Sequence, residues 1–356
     1  MPLPLTCIIT CYCLEKYIAQ CLQSAFSQEY EGPLQFIIID DCSTDHSVSI
    51  IQENLDLHAQ GLDCTFIRNQ KNLGVAASTD KAVSLAKYDH IVLMDGDDFF
   101  PANRCSSTAQ IFERHPEALM IMGSMIHINA EGHQLESQSY AMLKSYEDSP
   151  EETVLTTGKE RWKDYTGETG IRMNIYGSAM AFNKRLYDLF GPITTSLECP
   201  ERCSQDGALD IRSLLAGEIV GTKKIMSYYR MHESNLTNGE IKQDHAGLTA
   251  NELRWTRNQK MFVETIDRNL KDLERARSEG FTDWSREDLA LLESTLQKKR
   301  KLHHFRSDWW DISYPVRILR FVNACCNREA QNLKWALLRL MPLRIHVFLK
   351  NVMKAF

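Results

Sequence analysis

Residues 94 to 98 read Met-Asp-Gly-Asp-Asp. They place three carboxylates, Asp95, Asp97 and Asp98, within four positions of the end of an apolar run, with Gly96 leaving room for close backbone approach. Oxygen-only donors of this kind suit a hard divalent ion, Mg²⁺ or Mn²⁺, which takes one or two protein carboxylates and fills its shell with phosphate oxygens and water. The same residues also read as an acidic turn after a strand. Asp40 and Asp41 end a second apolar run, and in the following Cys42-Ser43-Thr44-Asp45 the residues Ser43 to Asp45 suit a helix cap. The cap leaves two carboxylates over, placed to accept the N3 hydrogen of a uracil or the hydroxyls of a ribose. Tyr12, within Thr10-Cys11-Tyr12-Cys13, offers a ring that either stacks on a base or packs inside. Cys7, Cys11, Cys13 and Cys21 lack the paired C-x-x-C spacing of a zinc site.

These residues follow apolar runs at Leu5 to Thr10, Phe36 to Ile39, Thr65 to Ile67 and Ile91 to Met94. Helical patterns at Lys16 to Gln28, Asp45 to Leu57 and Val75 to Lys87 separate them. The alternation predicts βαβαβαβ, a largely parallel sheet covered on both faces, with ligands beyond the carboxyl ends of the strands. Tyr12, Asp40, Asp41, Asn72, Asp95, Asp97 and Asp98 then converge on one rim. Further on, Leu119 to Ile128, Tyr176 to Phe182 and Ile219 to Tyr229 read as strands, and Gln205 to Ala216 as a helix. Glu131 to Tyr165 is a polar stretch without clear period, a candidate loop over the site. Long charged helices follow at Leu248 to Leu273 and Arg286 to His304.

The chain has 356 residues and a formal charge of -6. Residues 315 to 356 hold eight Lys or Arg against Glu329, so this segment carries +7 and the remainder -13. An acidic body excludes broad nucleic-acid binding, which needs a basic surface. The basic tail interleaves its charges with Ile, Leu, Phe, Val and Trp335, as an interfacial helix does and as a helix packed on the body also does. Eleven cysteines, an odd number with several in apolar stretches, read as reduced cytosolic thiols. No signal peptide and no clear transmembrane helix is legible, so a cytoplasmic chain is expected, peripheral on the membrane where the tail docks.

The order of four motifs, Thr10 to Tyr17, Asp40 to Asp45, Asn72-Leu73-Gly74 and Leu93 to Asp98, resembles the family 2 glycosyltransferases of GT-A fold. The resemblance continues through Tyr176-Gly177-Ser178-Ala179-Met180, through Gln205-Asp206 with Leu209, Arg212 and Gly217, and through Tyr228 to His232 with Asn235 and Thr237. It covers roughly residues 3 to 240. Thr10, Cys13 and Gln205 depart from the usual Pro, Asn and Glu. Asn251 to Trp255 resembles the Q-x-x-R-W of processive synthases with its first residue changed.

The resemblance implies an α/β fold, a GT-A-type nucleotide-binding sandwich with a mostly parallel central sheet and a helical C-terminal extension. Expected domains are 1–240 for the transferase, 241–314 for the helical extension and 315–356 for the basic tail. It also implies inverting transfer from a nucleotide-sugar, such as a UDP-sugar, to a glycan or lipid-linked acceptor in cell-surface polysaccharide synthesis. Asp97 and Asp98, in the segment that carries the D-x-D of Asp95 and Asp97, would hold Mn²⁺ or Mg²⁺. Thr10, Tyr12, Asp41, Asn72 and Asp95 would bind the nucleotide. Asp206 is the expected general base, with Asp210 one turn along as competitor. Arg212, Arg230 and His232 are assigned to the diphosphate or acceptor. A nucleotidyltransferase is the rival enzyme class, but Thr10 to Lys16 contains no Gly for its phosphate loop. An inactive membrane-associated scaffold is the rival without chemistry, and the acids at 95, 97, 98 and 206 weigh against it.

Overall fold

The computed structural model of the chain describes residues 2–140, 152–155, 177–195, 203–235, 245–326, 336–337 and 339–340. Its first hundred residues alternate as expected: β1 (Leu5–Cys11), α1 (Ile18–Phe26), β2 (Leu34–Asp40), α2 (Ser47–His58), β3 (Asp63–Arg68), α3 (Val75–Leu85) and β4 (His90–Asp95). β1, β2 and β4 are almost entirely buried. That explains their unbroken Ile, Val and Leu runs, since a parallel strand covered on both faces has no solvent side to alternate towards.

The chain continues with α4 (Arg104–Arg114), β5 (Ala118–Ile128), β6 (Gln134–Tyr140), β7 (Glu152–Leu155), β8 (Met180–Asn183), α5 (Arg185–Phe190), α6 (Gln205–Ala216) and β9 (Glu218–Arg230). One sheet holds these strands in the order β3-β2-β1-β4-β8-β5-β9-β7, with β6 beside β5. Pairing is parallel through β3-β2-β1-β4 and between β5 and β9, and antiparallel where β8, β6 and β7 join. Register places Thr10 beside Asp95, Cys11 beside Asp40, and Asp40 beside Arg68. The polar strand ends therefore form one row.

Two expectations change in detail. The strand expected from Tyr176 to Phe182 begins only at Met180, because Gly177–Ala179 forms a single tight helical turn; Tyr176 lies outside the described residues. The stretch 131–165, expected as a loop, contributes β6 and β7 to the sheet, and its remainder lies outside the described residues.

The C-terminal helices are α7 (His245–Glu279), α8 (Arg286–Ser307) and α9 (Tyr314–Cys326). The chain divides into two compact units, Met1–Arg230 with Arg268–Glu293, and Met231–Asp267 with Ser294–Phe356. Segment 268–293 joins the sheet's unit through Asp272, which is fully buried. Asp272 accepts from Arg212 Nε at 2.8 Å and pairs with Arg268, while Arg212 also donates to the carbonyls of Gly191 and Pro192 at 2.7 and 3.1 Å. In the second unit Trp309 is fully buried against Trp255, Phe305, Trp310, Phe321 and Leu340, and Arg339 pairs with Glu252 at 2.9 Å. Among the described residues no helix is long and apolar enough to cross a membrane, and no disulfide is formed.

Removing Asp272 strands a buried guanidinium, a change that costs about 3–5 kcal/mol. Asp272→Ala is therefore expected to lose stability on that scale in urea unfolding, and to lose far more than the exposed-pair variant Asp63→Ala, whose partner is Lys87.

Candidate active site

The rim at the carboxyl ends of β1, β2 and β4 is built from backbone contacts before any ligand is considered. Gly96 donates its N–H to the Thr10 carbonyl at 2.8 Å, so the acidic turn sits directly on the end of β1. A Cβ at Gly96 would lie 2.8 Å from that same oxygen. Only glycine permits this approach without displacing the turn. The Thr10 hydroxyl donates to Asp95 at 3.4 Å.

Asp95, partly exposed, is strongly perturbed. Burial, then the charges of Asp97 and Asp206, push its carboxyl up to about 7. This places Asp206, more than a hundred residues later in sequence, electrostatically beside the acidic turn. Asp206 itself lies in the first turn of α6, where Ser204 caps the helix through Gly207 N–H. The Ser204 hydroxyl also donates to Asp206, and Gly207 N–H reaches the same oxygen at 2.8 Å. A helix N-terminus favours the charged carboxylate. Burial outweighs it here, and the Asp206 carboxyl is raised above the ordinary range.

Gln205 joins this group. Its side chain accepts from the Thr79 hydroxyl at 3.2 Å and donates to Asp95. Gly177 makes the fit possible, since a Cβ there would lie 2.9 Å from Gln205 Nε2 and 3.9 Å from Asp95 Oδ2. A neutral amide at this place adds a donor without a fourth charge. Neither Thr79 nor Gly177 stands out in the sequence as a site residue, because their contacts span distant positions.

The other expected residues divide into exposed and buried sets. Tyr12 is 49% exposed at the end of β1, and Asn72, also exposed, donates to its hydroxyl. Asp41 is buried and accepts from Asn69 Nδ2, Leu73 N–H and Gly74 N–H at 2.8–2.9 Å. It therefore shapes the Asn72-Leu73-Gly74 turn that carries Asn72. Cys13 and Cys42, which flank Tyr12 and Asp41, hold positive φ of 55° and 68°, a conformation that costs about 1–3 kcal/mol for such residues. Cys13 N–H is held by Ser43 Oγ at 2.8 Å.

Asp97 is partly exposed, whereas Asp98 is buried and accepts Arg230 N–H at 2.8 Å, pointing into the protein where a metal ligand was expected. Arg230, expected at the diphosphate, is also buried. Its Nε–H donates to the Asp97 carbonyl at 2.8 Å, Nη1 to Ala130 at 2.8 Å and Nη2 to Gln20 at 2.5 Å, with the guanidinium over the Tyr17 ring at 4.9 Å. Arg212 is fully buried with Asp272, and its donors serve protein acceptors. His232 belongs to the second unit, where its N–H donates to Asn235 and its Nδ1 pairs with Ser234. Asp210 is buried one turn along α6.

Among the described residues no three His, Cys, Asp or Glu side chains form a metal cage. The donor set at the rim suits a different arrangement, in which Asp95 and Asp97 supply hard oxygens and a ligand's phosphates supply the rest.

Residues 6–186, just over half of the chain, match the family model described as Glycosyl transferase family 2. The chain belongs to this family. An uncharacterised protein of Mycobacterium tuberculosis is 35% identical over 107 residues, covering 30% of each chain. The chondroitin synthase of Escherichia coli is 30% identical over 129 residues, 36% of this chain and 18% of that enzyme. The matched stretch thus spans less than a third of the length of either relative. The crystal structure of S. aureus TarS residues 1–349 in complex with UDP-GlcNAc superposes with a TM-score of 0.52 at 14% identity, covering 94% of this chain and 90% of that one. It shares the GT-A fold. The chain has this family's mixed α/β architecture, a mostly parallel central sheet followed by helices.

Because the Asp206 carboxyl holds its proton more tightly folded than unfolded, its contribution to stability falls as pH rises from the ordinary carboxylate range through the raised value. Asp206→Asn removes that charge while keeping an oxygen for Gly207. In metal-free buffer it is expected to melt above the wild type at pH 8, by about 2–4 °C per kcal/mol relieved, with the gain shrinking towards pH 4. Differential scanning fluorimetry across pH reads this directly.

Proposed function

We propose that the rim binds a nucleotide-sugar, a UDP-sugar in particular, and transfers its sugar with inversion to a hydroxyl of a glycan or lipid-linked acceptor in cell-surface polysaccharide synthesis. The observation that carries the reading is that Asp206, at the start of α6, acts electrostatically on Asp95, which lies with Asp97 at the end of β4 beside β1 and the exposed Tyr12. The binding of UDP-GlcNAc by TarS, which shares the fold, supports the donor class. The family match supports glycosyl transfer.

In this reading Tyr12 stacks on the base, with Asn72 steadying its hydroxyl and Asp41 holding the turn beneath. Thr10 and Asp95 face the ribose and diphosphate. Asp97, with Asp95, would hold a divalent ion, which would supply charge stabilisation to the departing diphosphate. Asp98 and Arg230 brace the turn from inside. Asp206 accepts the acceptor's hydroxyl proton as that oxygen bonds to the anomeric carbon and the bond to the diphosphate oxygen breaks. A raised carboxyl suits this task, since a base works best with its pKa near the operating pH. The basic tail 315–356 brings the chain to the cytoplasmic face of a membrane.

Two measurements test the assignment. Calorimetry of UDP-sugars with Mn²⁺ or Mg²⁺ is expected to show metal-dependent affinity in the wild type and a weakened, metal-insensitive site in Asp97→Ala; retained metal dependence removes Asp97 from the role. Single-turnover transfer by Asp206→Asn is expected to fall by about 10²–10⁴ with donor affinity little changed. A near-normal rate there, with collapse in Asp210→Asn, moves the base to Asp210.

A further inference from the structure

Helix α9 carries its charges inward and its apolar side chains outward. Arg317 lies over the Trp310 ring at 4.9 Å and donates to the carbonyls of Ile312 and Trp310, both at 3.2 Å. Arg320 Nη2 donates to Asp308 at 2.9 Å. Phe321 packs against the buried Trp309, and Ala324 is buried. On the other side Tyr314, Val316, Ile318, Leu319 and Val322 stand 41–58% exposed. A solvated helix has the reverse order. A contiguous exposed apolar stripe marks a surface that meets something other than water.

Charge and area decide what that is. From 312 to 328 the sequence has no Asp or Glu, and residues 315–356 hold eight Lys or Arg against Glu329. Lys298 and Lys301, both exposed, lie on the preceding helix α8. A second copy of the chain docked face to face would bring two such basic segments together. A standard protein interface also takes about 800 Å² and 20–30 residues from each side, well beyond five half-exposed side chains on one convex helix. A bilayer interface needs no shape match. Apolar side chains enter the headgroup and acyl boundary, and Lys or Arg meet anionic headgroups.

We propose that the outward face of α9 docks this chain on an anionic lipid surface, with Leu319 and its neighbours entering the interface. The inference stands apart from the transfer reaction, which involves residues of the other compact unit. Its test uses the full chain, cosedimented with phosphatidylcholine vesicles with and without phosphatidylglycerol, beside Leu319→Asp/Val322→Asp. Both positions are exposed, so equal melting temperatures are expected and are checked first. Wild-type binding is expected to require phosphatidylglycerol and to weaken at high salt, and the double variant to bind about tenfold or more weakly. Unchanged binding by the variant, or indifference to phosphatidylglycerol, overturns the proposal. So does a wild-type dimer in light scattering that the double variant abolishes, which assigns the face to a second copy. Donor hydrolysis in solution, equal in both proteins, keeps failure of docking distinct from failure of the transferase reading.

Discussion

Three carboxylates delivered by one strand end repel one another, and Arg230 is the group that makes their arrangement tenable without a ligand. Its backbone N–H takes an oxygen of Asp98, its side chain takes the Asp97 carbonyl, and its remaining donors reach Gln20 on α1 and the turn after β5. One residue thus ties the acidic turn to three separate parts of the fold. Burial lowers the pKa of this guanidinium, with the nearby acids opposing that shift. A buried positive charge thus lies beside the acidic turn. Asp97 is left at the surface because Asp98 and Arg230 are directed inwards.

The same logic governs the opposite wall. Gln205 brings a hydrogen-bond donor to Asp95 where a carboxylate would bring another charge, and Thr79 takes the other end of the amide. Desolvation then acts on Asp95 and Asp206 together, and the charge of Asp206 adds to the shift at Asp95. Burial thus raises both carboxyls above the ordinary range.

Much of this was legible in the sequence, and the limit falls at a definite physical boundary. The buried parallel strands announced themselves by continuous apolar runs, and the acids at their ends followed from the rule that such sheets bind ligands there. Helix α6 matched its expected bounds because Ser204 caps it and Gly217 ends it. What residue type cannot convey is direction. Arg212, Arg230 and Asp98 have the chemistry of ligand-binding groups, yet each is turned inwards by partners far along the chain: Asp272 for Arg212, the Arg230 backbone N–H for Asp98, and Gln20 with the carbonyls of Asp97 and Ala130 for Arg230. Gly177 and Thr79 are chemically plain and matter only through what they approach. The turn at Gly177–Ala179 escaped notice for a similar reason, since its apolar neighbours read as a continuation of β8.

The brace on the acidic turn also orders events in time. Asp98 and Arg230 are 132 residues apart in sequence, so a ribosome releases the acidic turn long before the strand that steadies it. Until β9 is made, Asp98 lacks this partner, and bringing together groups so far apart in sequence carries the entropic cost of a long loop. The contact that steadies the acidic turn therefore waits on the strand that closes the sheet's sequence.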